Sequence, residues 1–248
     1  MGNQQERKNS VQSDSASESD NKTRGRKVLG VEVAPLNIPW ERRMETVAVA
    51  VWIGSFIFGA PSGLIFLVYL AFFTRLWWIS LLYLTWFVYD RETVNKGGRR
   101  FAWVRKWKIW RRYTNYFPVK MIKTVDLDPT KNYLFGSHPH GVLCSGAFAC
   151  FETEGTNFSK VYPGITPHLL TFEAHLAFPI YREYILSGGT CSASRSSLNY
   201  LLSYPGGGHA AVLVPGGAPE SLDAHPGLEN RVHLKKRKGF IKVAIQNG

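Results

Sequence analysis

The most constraining feature of the sequence is an apolar segment of 44 residues, positions 46–89, in which Arg75 is the only charged side chain. A helix that crosses a hydrocarbon core of about 30 Å needs about 20 residues, so two crossings fit this segment only with a tight turn. A buried helical pair of a soluble protein rarely has so long a run with so few charges. The segment therefore predicts a part of the chain that is embedded in a membrane.

Two positions in this segment carry turn signals, the Gly- and Pro-containing residues 59–63 and residues 74–75. A break at the first leaves a short arm over 46–58, and a break at the second leaves a short arm over 76–89. Because either arm is too short to span comfortably, a hairpin that enters and leaves on one face competes with a true double span. Arg75 costs about 3 kcal/mol at the bilayer centre, so we expect it near an interface.

The flanks of the apolar segment are basic, and Lys and Arg outnumber Asp and Glu by 30 to 18 in the whole chain, a net charge of +12. Arg42 and Arg43 precede the segment. Nine basic residues follow it: Arg91, Lys96, Arg99, Arg100, Arg105, Lys106, Lys108, Arg111 and Arg112. The positive-inside rule places both ends, and both chain termini, in the cytosol. The charge indicates an acidic partner, and the adjoining apolar segment favours a lipid bilayer, so we expect no nucleic acid.

The segment 101–113 places Trp103, Trp107 and Trp110 at i, i+4 and i+7 among Lys and Arg. This spacing predicts an amphipathic helix that lies in the headgroup layer. Residues 1 to about 27 have almost no large apolar side chains and are predicted to be disordered. We therefore expect a disordered cytosolic tail and lead-in over 1–40, a membrane hairpin plus basic interfacial helix over 41–112, and an α/β domain over 113–248.

The α/β prediction comes from short apolar runs that alternate with helical patterns after Tyr113. Strands are predicted at 133–135, 169–172 and 211–214, and helices near 142–151, 194–204 and 238–246. Such alternation is typical of a mostly parallel sheet with flanking helices. The three cysteines, Cys144, Cys150 and Cys191, are too few for a disulfide framework and are predicted to be free thiols.

Two histidines follow the first predicted strand directly, in the motif His138-Pro139-His140-Gly141. Catalytic groups of open α/β sheets lie at the carboxyl ends of the strands, and Gly141 permits a sharp exit into the next helix. An imidazole with a pKa near neutrality can take a proton from a hydroxyl, which is typically worth about 10² to 10⁴ in rate. His140, or alternatively His138, is therefore a candidate general base.

The strand at 211–214 has the same pattern, because it runs into a turn with Gly216 and Gly217 and then reaches Glu220. If the two strands are parallel neighbours, Glu220 and His140 lie at the same edge of the sheet. The carboxylate would then stabilise imidazolium, and the glycine amides would face an oxyanion. A Glu favoured by a helix N-terminus is the simpler alternative.

Four blocks of the sequence together resemble the monoacylglycerol and diacylglycerol acyltransferase family, type 2. They are the motif His138 to Gly141, the glycine turn with Glu220, Arg182-Glu183-Tyr184 followed by Ser187-Gly188-Gly189, and Arg237-Lys238-Gly239-Phe240. The resemblance runs from about Val33 to Gly248. It implies a glycerolipid acyltransferase-like fold in the endoplasmic reticulum membrane and on lipid droplets. It also implies acyl-CoA as co-substrate and mono- or diacylglycerol as acceptor, with the His-Pro-His-Gly block at the active centre. Residues 34–43 look more like the monoacylglycerol branch.

The expected reaction is direct acyl transfer, with no acyl-enzyme, no cofactor and no metal. His140, His138 and Glu220 are the candidate catalytic residues, and Gly141, Gly216, Gly217, Arg237 and Lys238 are the candidate substrate-binding residues. The cluster 235–238 would meet the CoA phosphates, although a solvated or lipid-facing surface is the alternative. Whether the chain forms a homo-oligomer stays open.

Two departures from the family pattern matter. The broader glycerolipid acyltransferases have an aspartate five positions after the histidine, where this chain has Leu143 and Ser145, so Glu220 is the expected substitute partner. The chain also stops at Gly248, where the family continues, so we expect a domain that is incomplete at its C-terminus.

Three other hypotheses remain at this stage. Cys144 could be a nucleophile, but the sequence has no Gly-x-Ser-x-Gly elbow, and a small core residue is the simpler interpretation. His138 and His140 with His168, Glu173 and His175 could form the metal site of a hydrolase, although the spacing is undefined. A non-catalytic hairpin protein that coats lipid droplets is the third.

Overall fold

The computed structural model describes residues 38–225 and 231–248, together with two short strands nearer the N-terminus. These strands, β1 (Arg26–Val28) and β2 (Val31–Val33), pair antiparallel. Strand β1 begins at the end of the segment that is predicted to be disordered, residues 1 to about 27, and β2 lies in the lead-in after it. Residues 1–25 of the predicted disordered tail lie outside the described residues, as do residues 34–37 of the segment that indicates the monoacylglycerol branch.

The apolar segment forms two helices, α1 (Trp40–Phe73) and α2 (Trp77–Tyr89). The chain turns at residues 74–76, the second of the two predicted breaks, and α1 continues through Pro61. Membrane helices tolerate Gly and Pro where neighbouring groups satisfy the freed backbone atoms, so the course of α1 through Pro61 is compatible with a membrane helix. By length and composition α1 is able to cross a membrane, whereas the 13 residues of α2 are too few for a perpendicular span.

Both apolar helices contact the segment around Ile180. The Ser80 hydroxyl of α2 donates to the Leu67 carbonyl of α1 at 3.2 Å, and the Ile180 N–H donates to the Tyr83 hydroxyl at 2.6 Å. Gly63 of α1 lies against the backbone of Pro179, which leaves no room for a side chain. The apolar helices therefore pack against the α/β part of the chain.

An ionic network fixes this packing. Arg182, which is buried, donates to the carboxylate of Asp90 at the end of α2 and to the Phe87 carbonyl at 3.1 Å. Arg99 reaches the same carboxylate at 2.6 Å and Glu183 at 2.5 Å. The hydrogen bonds of Asp90 to Thr93 and Arg99 hold its pKa below the usual value despite burial. Buried charges that are paired in this way are costly to separate, so the network holds α2 in one position.

The basic segment after α2 contains a short 3₁₀ turn (Arg91–Asn95) and two helices, α3 (Ala102–Arg105) and α4 (Lys108–Tyr116). The prediction of one amphipathic helix over 101–113 is wrong, because the chain breaks between α3 and α4 at Trp107. Trp103 is 64% exposed, but Trp110 is only 5% exposed and packs on Phe148. Trp110 therefore belongs to the core.

The α/β part contains a four-stranded parallel sheet in the order β3-β6-β4-β5. Its strands are β3 (Tyr133–Gly136), β4 (Thr166–Thr171), β5 (Cys191–Ser192) and β6 (His209–Leu213). Strands β3 and β6 are parallel neighbours, with Phe135 opposite Val212. The two strands that precede the His motif and the glycine turn therefore end at the same edge, as the sequence pattern requires.

The helices of this part flank the sheet and connect its strands. They are α5 (Ser145–Ala147), which continues as a π-helix (Phe148–Glu152), α6 (Phe158–Val161), a 3₁₀ turn (Glu173–Ala177), α7 (Tyr181–Gly188), α8 (Arg195–Leu202), α9 (Gly217–Leu222) and α10 (Gly239–Gln246). The predicted helix over 142–151 begins later than expected, because residues 141–143 form a turn and Cys144 adopts a left-handed conformation. Helices α6, α7 and α9 and strand β5 were not predicted.

Candidate active site

A cavity of about 1010 Å³ opens beside the carboxyl ends of β4 and β6, next to the loop that follows β3. Its apolar wall includes Trp52 and Phe56 of α1 and Phe148 of the π-helix. His140, Gly217 and Ala218 line its polar side, and Arg237 and Lys238 are also part of the wall. One cavity therefore joins the His motif, the glycine turn, the basic segment and a helix that is able to cross a membrane.

His140 is held in place by contacts on both ring nitrogens. Its side chain is only 1% exposed. Nε2 lies 3.2 Å from the Gly217 carbonyl oxygen, and Nδ1 lies 3.2 Å from the Cys144 sulfur. Because a carbonyl oxygen only accepts, we assign the proton to Nε2, which leaves Nδ1 as the acceptor for the Cys144 thiol. The ring thus presents its basic nitrogen on the side of Cys144.

Glu220 of α9 connects three segments of the site. Its side chain is 3% exposed, and Oε1 accepts the backbone N–H of His140 at 3.0 Å. The same oxygen lies 3.6 Å from His140 Nε2, and Oε2 accepts the backbone N–H of His233 at 3.4 Å. A carboxylate in this position fixes the loop after β3 and stabilises a positive charge on the His140 ring.

The turn after β6 depends on its two glycines. Gly217 has φ of +61°, a left-handed conformation that favours glycine. Gly216 has an ordinary helical conformation, but a side chain there would collide with the Glu220 carboxylate. Gly141, in the loop after β3, also has a positive φ of +65°. These positions therefore shape the backbone around His140 and Glu220.

His138 lies near Glu220 but not in the wall of the cavity. Its Nδ1 is 3.8 Å from Glu220 Oε2, and its side chain is 21% exposed. None of the described residues forms a hydrogen bond with that buried nitrogen. Of the two histidines of the motif, His140 is the one that faces the cavity.

Cys144 is predicted to be a small core residue of the following helix, and it does pack against the hydrophobic core, but as the residue that precedes the helix. The residue lines the cavity and contacts His140 Nδ1. Burial, followed by the nearby charge of Glu220, raises the pKa of its thiol to about 11, so the sulfur is protonated at neutral pH. A protonated thiol is a weak nucleophile. In the sequence, the signal for the contact between Cys144 and His140 is their separation by four residues. The contact itself depends on the left-handed turn at Cys144.

The proposed metal ligands of the hydrolase hypothesis are not brought together. His168 forms a hydrogen bond with His209 at 2.9 Å. His175 contacts the Thr171 hydroxyl at 3.0 Å, and Glu173 accepts a hydrogen bond from the Ser192 hydroxyl at 3.2 Å. Within residues 38–225 and 231–248, no three His, Cys, Asp or Glu side chains form a group that could hold a metal ion. The geometry does not favour a metal-dependent hydrolase.

Comparison with known proteins gives one consistent result. The family model described as "Diacylglycerol acyltransferase" matches residues 69–248. The chain is 48% identical over 218 residues to "Diacylglycerol O-acyltransferase 2" of Xenopus tropicalis, which covers 86% of this chain and 60% of that protein. It is 47% identical over 220 residues to "2-acylglycerol O-acyltransferase 1" of Bos taurus, a match that covers 89% of this chain and 65% of that protein.

The chain is also 46% identical over 208 residues to the human "Diacylglycerol O-acyltransferase 2", which covers 84% of this chain and 53% of that protein. It therefore spans between 53% and 65% of the length of these three relatives. No solved structure matches the chain.

Proposed function

The chain belongs to the diacylglycerol acyltransferase family, and from this premise we propose that it transfers the acyl group of acyl-CoA to a hydroxyl of a mono- or diacylglycerol. The observation that carries the proposal is the position of His140, which lies between the Glu220 carboxylate and a large apolar cavity. The names of the relatives do not favour a non-catalytic coat protein.

The first step of the proposed reaction is removal of a proton from the acceptor hydroxyl. Nδ1 of His140 is the base, because Nε2 is occupied by the Gly217 carbonyl. In the resting protein the Cys144 thiol contacts Nδ1, and the acceptor hydroxyl takes its place. The alcohol oxygen then attacks the thioester carbon of acyl-CoA, while Glu220 stabilises the imidazolium from the other side of the ring.

The second step is collapse of the tetrahedral intermediate. The bond between the carbonyl carbon and the CoA sulfur breaks, and the imidazolium returns its proton to the leaving thiolate. Acyl-CoA and an alcohol thus become an ester and free CoA. Backbone N–H groups of the turn at Gly216 and Gly217 are the proposed donors to the oxyanion, the usual means of stabilising such an intermediate.

The membrane helix has a direct role in substrate access. Trp52 and Phe56 of α1 line the cavity that contains His140. An acylglycerol dissolves in the bilayer, so a cavity walled by α1 admits it without passage through water. We propose that the chain resides in the endoplasmic reticulum membrane and on lipid droplets, with both termini in the cytosol. The 13 residues of α2 favour a re-entrant hairpin over a double span.

The basic segment at 236–238 is the proposed binding site for the CoA phosphates. Lys236, Arg237 and Lys238 line the cavity, and Arg237 Nη2 lies beside the Gly217 turn. Charge-assisted contacts between these cations and phosphate oxygens would hold the thioester next to His140.

We expect the double substitution Lys236→Gln, Lys238→Gln to raise KM for acyl-CoA about tenfold, which corresponds to about 1.4 kcal/mol. Turnover at saturating acyl-CoA should change little, because neither ammonium group touches the reacting atoms. Initial rates at varied acyl-CoA concentration measure both constants. Lys160→Gln, an exposed lysine on α6, is the matched control. An unchanged KM in the double variant would show that this surface does not bind CoA.

The activity itself is tested in microsomes from cells that express the chain. Labelled acyl-CoA is supplied with mono- or diacylglycerol, and the products are separated by polarity. We expect labelled di- or triacylglycerol to exceed the amount formed by microsomes that contain an equal quantity of the His140→Ala variant. Equal product from both would contradict the proposed function.

A further inference from the structure

The cavity contains a second group of polar side chains that the proposed reaction does not use. Glu152, Thr190, Ser55 and Tyr184 all line it. They come from four different segments: the π-helix, the residue before β5, α1 and α7. None of the contacts described for His140 involves them. The polar groups of the cavity therefore form two separate clusters.

Thr190 carries the clearest sign of a missing partner. The residue is 1% exposed, and its buried hydroxyl lies beside the Glu152 carboxyl without forming a well-aligned hydrogen bond to any of the described residues. A buried hydroxyl that is left unpaired costs about 1 to 3 kcal/mol. Because Thr190 and the Glu152 carboxyl beside it both line the cavity, a ligand oxygen placed at this pair would give both groups a hydrogen-bond partner.

Glu152 lies in the same part of the cavity and is the last residue of the π-helix. It follows Cys144, which contacts His140, by about two helical turns, a rise of roughly 10 Å. Its carboxyl group packs directly against Gly188. Burial raises the pKa of this carboxyl to about 7, although the Thr190 hydroxyl and the charge of Arg105 act to lower it, so the carboxyl is partly protonated near neutral pH and is then able to donate as well as accept. Single π-turns of this kind are frequent at functional sites.

The hydroxyl pair of Ser55 and Tyr184 completes the cluster. Ser55 donates to the Trp52 carbonyl at 2.7 Å, so the Tyr184 hydroxyl is the donor of the 3.2 Å contact between the two side chains. The Tyr184 oxygen therefore keeps lone pairs that can accept another hydrogen bond. The cluster as a whole offers hydroxyl and carboxyl groups, which suit an uncharged oxygen and not an ion.

We propose that Glu152 and Thr190 form a second subsite, which binds an uncharged oxygen of the lipid substrate while His140 acts on the reacting hydroxyl. The oxygen is a hydroxyl or a carbonyl. This inference rests on the proposed function and adds a determinant of substrate choice. Two substrates can bring such an oxygen into the cavity: the acceptor, through its glycerol ester, and the donor, through an oxygenated acyl chain.

The subsite is tested by binding, so that its outcome does not depend on turnover. Purified full chain in lipid nanodiscs is titrated with labelled monoacylglycerol and with a long-chain alcohol of equal length, which lacks the ester and the second hydroxyl. A second pair of titrations compares a hydroxylated acyl-CoA with the plain acyl-CoA. Transfer activity of the same preparations is recorded separately and reports on the proposed function alone.

Thr190→Val removes the hydroxyl with little change of shape, and Glu152→Leu removes the carboxyl. We expect each substitution to raise, about tenfold, the Kd of the oxygen-bearing ligand in one of the two pairs, which is either monoacylglycerol or the hydroxylated acyl-CoA. The Kd of the plain ligand in that pair, the long-chain alcohol or the plain acyl-CoA, should not change. Thr190→Ser and Glu152→Gln are the matched controls, which keep a polar group and should bind like the original chain.

Two results would overturn the proposal. An equal loss of affinity for all four ligands would mean that Glu152 and Thr190 only maintain the shape of the cavity. Unchanged affinity for all four would mean that the cluster binds water alone. Absence of transfer in preparations that still discriminate the ligands would refute the proposed function and leave the subsite in place.

Discussion

Replacing His140 with Ala is expected to lower the initial rate of acyl transfer by at least about 10²-fold. A positioned general base typically contributes about 10² to 10⁴ in rate, and Ala also removes the imidazolium that protonates the leaving thiolate. KM for acyl-CoA should stay within about twofold, because the imidazole does not contact the proposed phosphate site. Initial rates per amount of expressed protein, with both substrates varied, measure the effect.

The matched control is His225→Ala, because His225 is an exposed histidine that contacts only the nearby Asp223 carbonyl among its described hydrogen bonds. His138→Ala should have a smaller effect than His140→Ala, since His138 does not line the cavity. If His138→Ala were the more damaging substitution, the assignment of the base would be wrong.

Replacing Gly216 with Ala is expected to cost about 10²-fold in rate although it adds only one methyl group. The backbone at Gly216 accepts Ala without strain, since φ is −60°. The methyl would, however, overlap the Glu220 carboxylate. Glu220 is buried and bonded to the backbone of His140 and His233, so it cannot move without displacing both. A displacement of about 1 Å at a reacting group costs about 10² in rate.

Gly146→Ala is the control for this effect, because Gly146 is exposed and a methyl there meets no atom within 4 Å. Its rate should stay within about twofold of the original chain. Thermal unfolding of the Gly216→Ala variant in detergent separates loss of geometry from loss of fold, since overpacking costs about 1 to 3 kcal/mol. A Gly216→Ala variant with the original rate would show that the position of Glu220 does not matter.

The sheet and the edge that carries the site follow from local sequence patterns. Two short apolar runs, one before the His motif and one before the glycine turn, predict β3 and β6. Parallel neighbouring strands end at the same edge of the sheet. That His140 and Glu220 lie close together is therefore readable from pattern alone. The break between α1 and α2 was one of two alternatives, because both positions carry turn signals and the local sequence does not show that α1 continues through Pro61.

Other features depend on contacts between distant parts of the chain. Trp110 has the spacing of an interfacial residue, yet it is buried because Phe148 packs on it. Cys144 reaches His140 only through a left-handed turn that a non-glycine residue rarely adopts. The polar cluster of Glu152 and Thr190 joins segments almost forty residues apart, and neither residue belongs to a motif. Tertiary packing decides these positions, and single-sequence periodicity does not encode it.

In the proposed reaction His140 acts directly on the acceptor hydroxyl, and no acyl group is bound covalently to the protein. The most direct measurement is the initial rate of the Cys144→Ala variant, because Cys144 is the nucleophile that a covalent route through His140 would require. Direct transfer predicts a rate within about tenfold of the original chain, since the thiol only occupies Nδ1 in the resting protein. A loss as large as that of His140→Ala would contradict direct transfer and would indicate an acyl-cysteine intermediate.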